Sequence, residues 1–279
     1  MNTIWNLLVQ STTVIILGLG MTVVIATGGI DISVGSVMAL SGIIVAQFVS
    51  INQIPLAIIA SLGVVALSGA FVGILVAKLK IQPMIISLSM LYVLRGIAKL
   101  LSGGRFINYN NPGFSDIAYL KVWDIIPVQV FIIIALTLFL LILLRKTRFG
   151  VYIEAYGDNP LATKISGVKV VLVIVLAYVI CEIFAGMAGI METALITSAD
   201  PTNMGLTKEM DAIAVTVIGG TPIIGGRPNV LGTVCGALIL QLITVMVNMN
   251  NIPFAFSLVL KAGIIVAAIY IQKLSKNKK

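Results

Sequence analysis

The chain has 279 residues, of which 59% are hydrophobic and only 10% charged, with a mean hydropathy of +1.13. A water-soluble domain carries about a quarter charged residues because charge covers its surface, so this composition excludes that class. The formal charge of +8 would suit nucleic acid, but no Lys or Arg precedes Lys78 and later ones fall mostly between apolar blocks. That placement makes the lipid bilayer the partner and leaves no nucleic-acid site.

In chain order the apolar segments run 4–27, 33–50, 55–77, 84–102, 127–144, 170–196, 207–224, 230–248 and 255–272. Most have the length of roughly 18 to 25 residues that crosses a bilayer core as a helix. Breakers separate them: Gly28-Gly29, Pro55, Pro83, Pro112, Pro127, Pro160, Pro228 and Pro253. The expected fold is an all-α membrane protein, a polytopic bundle of about nine transmembrane helices in a single domain over 1–279. Segment 207–224 is the weakest member, because Asp211 lies near its start. The first segment lacks a basic n-region and is long, so no cleaved signal is expected. Cys181 and Cys235 lie in apolar runs without CxxC or metal spacing and read as packing residues. The absence of His removes His-based catalysis and His metal ligands.

Charge sets the expected orientation. With the C-terminal Lys273, Lys276, Lys278 and Lys279 in the cytoplasm, alternation also places Lys78, Lys80, Arg145 to Lys169 and Arg227 inside. Twelve basic residues are then inside against three outside, Arg105, Lys121 and Lys208, with Arg95, Lys99 and Lys261 within spans. The opposite orientation inverts the positive-inside bias. One consequence is that Met1 falls outside, and a first helix ahead of it is expected to be missing.

The chain also resembles itself. Residues 21–29 are an apolar run ending in Gly28-Gly29, followed by Ile30-Asp31-Ile32-Ser33 and a small-residue run from Val34 through Gly35 and Ser36. Residues 212–220 end in Gly219-Gly220, followed by Thr221 to Arg227 with Gly225-Gly226, and then a second small-residue run from Val230. Six expected spans separate the copies, so they point the same way through the membrane, as in a loose parallel repeat of broken helices; chance likeness between apolar runs is the alternative. Irregular backbone at membrane depth survives only inside protein or beside a wet cavity. Gly28, Gly29, Asp31, Ser33, Gly35 and Ser36, with Gly219, Gly220, Thr221, Gly225 and Gly226, are therefore candidate pathway residues; a plain structural turn is the alternative. Asp31 or Ser33 is expected to cap the helix that follows. The pairs Gly69/Gly73 and Gly232/Gly236 let helices approach closely, within one subunit or between two.

The stretch Arg148 to Gly167 carries a short helix between strong signals. Asn159 suits the N-cap, Pro160 the first turn and Gly167 a left-handed stop. A helix of about seven residues, Pro160–Ser166, is unstable alone and must lean on its own bundle or on a partner.

Glu154-Ala-Tyr-Gly157-Asp158-Asn159-Pro160-Leu161-Ala162-Thr-Lys-Ile165-Ser166-Gly167 resembles the "YAIGGNPxAAxxSGI" segment of sugar permeases in ABC importers of the ribose, xylose, arabinose, galactoside and galactofuranose type. Thr27 to Ser36 is similar to their "TGGIDLSVGS" signature, and Glu209 to Gly226 to their "ELDAIAAVVIGGTSLxGG" block. The resemblance implies an inner-membrane permease that pairs with a second permease subunit, binds two cytoplasmic ATPase subunits and receives sugar from an external binding protein. It maps a coupling helix onto Asp158–Ser166. Members of the family usually carry one more N-terminal helix.

Within the apolar segments, Arg95, Lys99, Glu182, Glu192 and Lys261 are costly charges. Arg95 and Glu182 are a candidate pair, whereas Lys99, Glu192 and Lys261 can snorkel to an interface. The stretch 103–126, with Phe106, Tyr109, Phe114, Tyr119 and Trp123, suits either an external partner or an interfacial aromatic belt. No G-x-x-x-x-G-K-[ST] loop occurs, so the chain cannot hydrolyse ATP by the P-loop route. The resemblance implies that partner ATPase subunits bind ATP and Mg²⁺, with no cofactor in this chain. The other readings are a nucleoside or branched-chain amino-acid ABC permease, an ion-coupled secondary transporter with a thin acidic relay, and a membrane enzyme, for which no catalytic set can be assembled.

Overall fold

The computed structural model describes residues 2–122, 125–250 and 253–276. Met1, Trp123, Lys278 and Lys279, which enter the readings above, lie outside the described residues. The order is α1 (Asn2–Ala26), α2 (Val34–Ser50), α3 (Ile54–Leu79), α4 (Pro83–Ser102), β1 (Ile107–Asn108), α5 (Pro112–Tyr119), β2 (Lys121–Val122), β3 (Ile126–Pro127), α6 (Val128–Lys146), α7 (Arg148–Asp158), α8 (Pro160–Ile165), α9 (Val170–Ile196), β4 (Ser198–Ala199), α10 (Lys208–Ile218), α11 (Val230–Met249) and α12 (Phe254–Lys276).

Among the described residues, six helices are long and apolar enough to cross a membrane: α1, α3, α4, α6, α9 and α11. The apolar stretches Val34–Ser50 and Ala255–Ala267 are shorter. The expected segment 207–224 contains only α10, with 11 residues. At 1.5 Å per residue it covers about half of the ~30 Å core. Gly219-Gly220 stops it at one end. At the other, a turn in which Asp200 accepts a bond from the Thr202 amide at 2.8 Å precedes it.

Helix α9 is the axis of the bundle, packed by α1, α2 and α3. Most of α1 and nearly all of α2 are buried, whereas α3, α4 and α6 turn large apolar side chains such as Leu67, Tyr92 and Ile142 outward. In lipid, such faces need no polar cover, and close packing rests on small residues. A Cβ on Gly69 would lie 2.8 Å from the Tyr178 carbonyl, and one on Gly73 2.7 Å from Val175 Cα. Both glycines thus seat α3 on α9, and Gly232 and Gly236 seat α11 on α10. Both pairs act within one chain.

At the end opposite α7 and α8, β1 pairs antiparallel with β4, Ile107 facing Ala199, and β2 with β3. Tyr109 donates to the Thr193 carbonyl at 2.7 Å and meets Phe114 edge-on at 5.5 Å. Part of the aromatic content of 103–126 therefore ties this segment to the end of α9, including the exposed Tyr119, whose hydroxyl donates to the Leu195 carbonyl at 2.5 Å, while Phe106 stays exposed.

Candidate functional site

Thr147 opens α7 by accepting a bond from the Phe149 amide at 3.2 Å. Asn159 ends α7 and opens α8, its Oδ1 accepting from the Ala162 amide at 3.0 Å, with Pro160 in the first turn. Gly167, at φ +80°, stops the chain from continuing as a helix. So short a helix needs support, and it gets some from Thr163, which is buried, and from α7, whose Ile153 is fully buried. Its outward face is apolar: Leu161 is 69% and Ile165 77% exposed, with Ala162 and Ser166 also exposed.

Behind α8, three distant pieces of the sequence converge. The Gly226 amide donates to the Ala26 carbonyl at 2.9 Å, tying the loop after α10 to the end of α1. Gly157 lies against both: a Cβ there would collide with the Ala26 oxygen and the Gly226 nitrogen, backbone atoms that cannot step aside. Gly225 and Gly226 adopt φ +93° and +110°, which L side chains rarely tolerate. A Cβ on Gly225 would sit 3.0 Å from Gly157 Cα and from the Gly28 amide nitrogen, and one on Gly226 2.8 Å from Asp158 Oδ1. The two helix breaks and the α7–α8 segment are therefore one junction. A cavity of about 1160 Å³ opens beside it, lined by Thr27, Gly28, Gly29, Tyr156, Asp158, Leu161 and Ile224, with the exposed Lys80, Lys164 and Lys169. Burial pushes the Tyr156 phenol up from its ordinary range.

Other expected site residues lie apart from this junction. Glu154 lines a separate groove with Arg145 and Lys146. Gly219 packs on the backbone of Gly232 and Thr233. Thr221 accepts from the Asn229 amide at 3.0 Å, and Asn229 in turn caps α11 through the Gly232 amide at 3.1 Å. Thr221 thus closes the loop, and Gly220 is the exposed left-handed residue before it.

Asp31, Ser33 and Ser36 are fully buried deeper in the bundle. Ser33 occupies the N-cap of α2, but its side chain makes no capping bond. Instead Asp31 Oδ1 accepts from the Ser33 amide at 2.9 Å and from its hydroxyl at 2.5 Å, and Ser36 donates to the Ser33 carbonyl at 2.7 Å. The expected side-chain cap is replaced by this local turn.

Arg95 and Glu182 do not pair. Arg95 donates from Nη1 to the carbonyls of Pro201 and Met204, at 3.2 and 2.6 Å, and from Nη2 to that of Gly35 at 3.3 Å. Its planar fork suits carbonyls freed where the backbone turns. Glu182 bonds to Ser68 on α3, and its Oε1 lies 3.5 Å from the Ser33 hydroxyl. Nor does Lys261 snorkel: it pairs with Asp211 at 2.9 Å, with side-chain exposures of 10% and 16%. Sequence reasoning missed Ser68, Tyr178 and Asn229, which carry no signal of their own until the fold supplies their partners.

Membrane-length helices around α9, with two glycine breaks meeting beneath a short capped helix, define a multi-pass α-helical membrane protein. The chain belongs to the family described as branched-chain amino acid transport system / permease component, which matches it over residues 3–269. It is 40% identical to the galactofuranose transporter permease protein YtfT of Escherichia coli K12, over 96% of this chain and 78% of that protein. To the ribose import permease protein RbsC of Escherichia coli K12 it is 38% identical, over 100% of this chain and 86% of the relative. To the fructose import permease protein FruF of Bifidobacterium longum it is 34% identical, over 98% and 80%. No solved structure matches the chain.

Proposed function

We propose that this chain is the membrane-spanning permease subunit of an ABC importer for a small sugar, moved by ATP that separate cytoplasmic ATPase subunits hydrolyse with Mg²⁺. The observation that carries this reading is the mounting of α8. Leu161 and Ile165 lie four apart and outward on a helix whose base holds both membrane-helix breaks through Gly157, Ala26 and Gly226. A push or pull on α8 therefore reaches both breaks through backbone contacts. The substrate class follows from relatives named for galactofuranose, ribose and fructose.

In this reading Arg145–Lys169 and the C-terminus are cytoplasmic, since the basic residues then stay inside. The β1–α5–β3 segment faces an external sugar-binding protein, and the exposed apolar faces meet lipid and a second permease subunit. The span count is about nine only if α10 serves as a half-span, and the breaks at Gly28–Ser36 and Gly219–Gly226 are corresponding parts of one parallel repeat within a single permease domain. Co-expression with candidate ATPase and binding-protein partners, followed by co-purification and a ligand screen of the binding protein, tests the assignment. Capture of both partners with a pentose or hexose ligand is expected. A nucleoside or branched-chain amino-acid ligand instead would overturn the sugar assignment, and failure to capture any ATPase would overturn the importer reading.

A further inference from the structure

Deep in the bundle, two carboxyl groups from distant segments share one set of hydrogen-bond donors. Asp31 and Glu182 are both 0% exposed, and the Ser33 hydroxyl lies between them, 2.5 Å from Asp31 Oδ1 and 3.5 Å from Glu182 Oε1. Ser68, the other hydroxyl at the cluster, contacts Glu182 Oε2 and also the Val65 carbonyl at 2.8 Å. Each hydroxyl has a single proton. Ser33 has committed its proton to Asp31, the shorter contact, so nothing on Ser33 is left for Glu182. No cation makes up the difference: among the described residues the only ion pair is Lys261 with Asp211. The other titratable groups facing the cluster are Tyr178 and Cys181 of α9, both buried and uncharged when protonated. Tyr178 stands one turn before Glu182 on α9. Its hydroxyl and Asp31 Oδ2 are fully buried polar atoms without a partner. From Tyr178 the way leads to the cavity beside α8, which Tyr178 also lines.

We propose that Asp31 and Glu182 form a buried proton-binding site, in which Glu182 is a neutral carboxylic acid donating to Ser33 or Ser68 and Asp31 is the anion. One added proton supplies the missing donor between Glu182 and the two hydroxyls: Ser33 serves Asp31 Oδ1, Ser68 serves Val65 or Glu182, and the Glu182 proton completes that contact, while Asp31 Oδ2 keeps no partner. Two adjacent buried anions without a counterion are far costlier than one. The neutral acid ties the α1–α2 break to α3 and α9 with hydrogen bonds that can be broken and remade without carrying a net charge through the bilayer.

The native protein in lipid nanodiscs at neutral pH, read by infrared spectroscopy, tests this directly. A protonated carboxylic C=O band that shifts in D₂O is expected. It should move when the protein is made with glutamate isotopically labelled at its side-chain carboxyl, disappear in Glu182→Gln and persist in Glu192→Gln. Absence of the band, insensitivity to labelled glutamate, or loss in Glu192→Gln would each overturn the proposal. Because the labelling result comes from the unmutated chain, it stands even where Glu182→Gln does not accumulate.

Discussion

Replacing Leu161 with Asp separates a coupling role for α8 from a merely structural one. In the isolated chain Leu161 is 69% exposed, so its side chain contributes little to folding. Burying a whole Leu side chain is worth about 1.5–3 kcal/mol, so covering the exposed part in a partner contact is worth about 1–2 kcal/mol. A carboxylate placed unpaired in that contact adds a cost of about 3 kcal/mol or more. Together these weaken the contact by about 4–5 kcal/mol, roughly a thousandfold or more in affinity at about 1.4 kcal/mol per tenfold. Membrane abundance by immunoblot should match the wild type, while ATPase co-purification and sugar uptake are lost. An equally abundant Leu161→Asp permease that still binds the ATPase and transports at the normal rate would refute the reasoning.

Gly157→Ala acts on the junction instead of the outer face. Its Cβ meets the backbone of Ala26 and Gly226, so a loss of about 1–3 kcal/mol is expected from overpacking, seen as a lower thermal midpoint in detergent and not only as lost ATPase binding. The segment around β1 and α5 should respond to alkali. Burial raises the Tyr109 phenol above its ordinary value, so the stability that it contributes is complete below the unfolded pKa of about 10 and declines as pH rises through the higher folded value. Tyr109→Phe, which also forfeits the bond to Thr193, should flatten that decline in a plot of thermal midpoint against pH; an unchanged slope would count against it. For topology, single cysteines at Ser166→Cys and Asn277→Cys in a background lacking Cys181 and Cys235 should resist impermeant thiol reagents in intact cells and react after permeabilisation. Labelling of both in intact cells would reverse the orientation.

Sequence by itself determined the features that obey local or solvent rules. A lipid-facing backbone must satisfy its own hydrogen bonds, so each span announces itself as a long apolar run, and α1, α3, α4, α6, α9 and α11 are found where the runs lie. The caps of α8 were equally legible, because Asn159, Pro160 and Gly167 act on backbone within three or four residues of themselves. The length of α10 was not, since hydrophobicity alone does not mark where a chain turns back inside a bundle. Only the tertiary structure decided the partners of the buried charges: Arg95 with the carbonyls of Gly35, Pro201 and Met204, Lys261 with Asp211, and Glu182 with Ser33 and Ser68. It alone brought Gly157 against Ala26 and Gly226. A charge or a glycine in an apolar run signals that a partner must exist, because leaving it unpaired or unpacked in lipid is costly. Which helix supplies that partner depends on packing between segments far apart in the chain, and no local pattern records it.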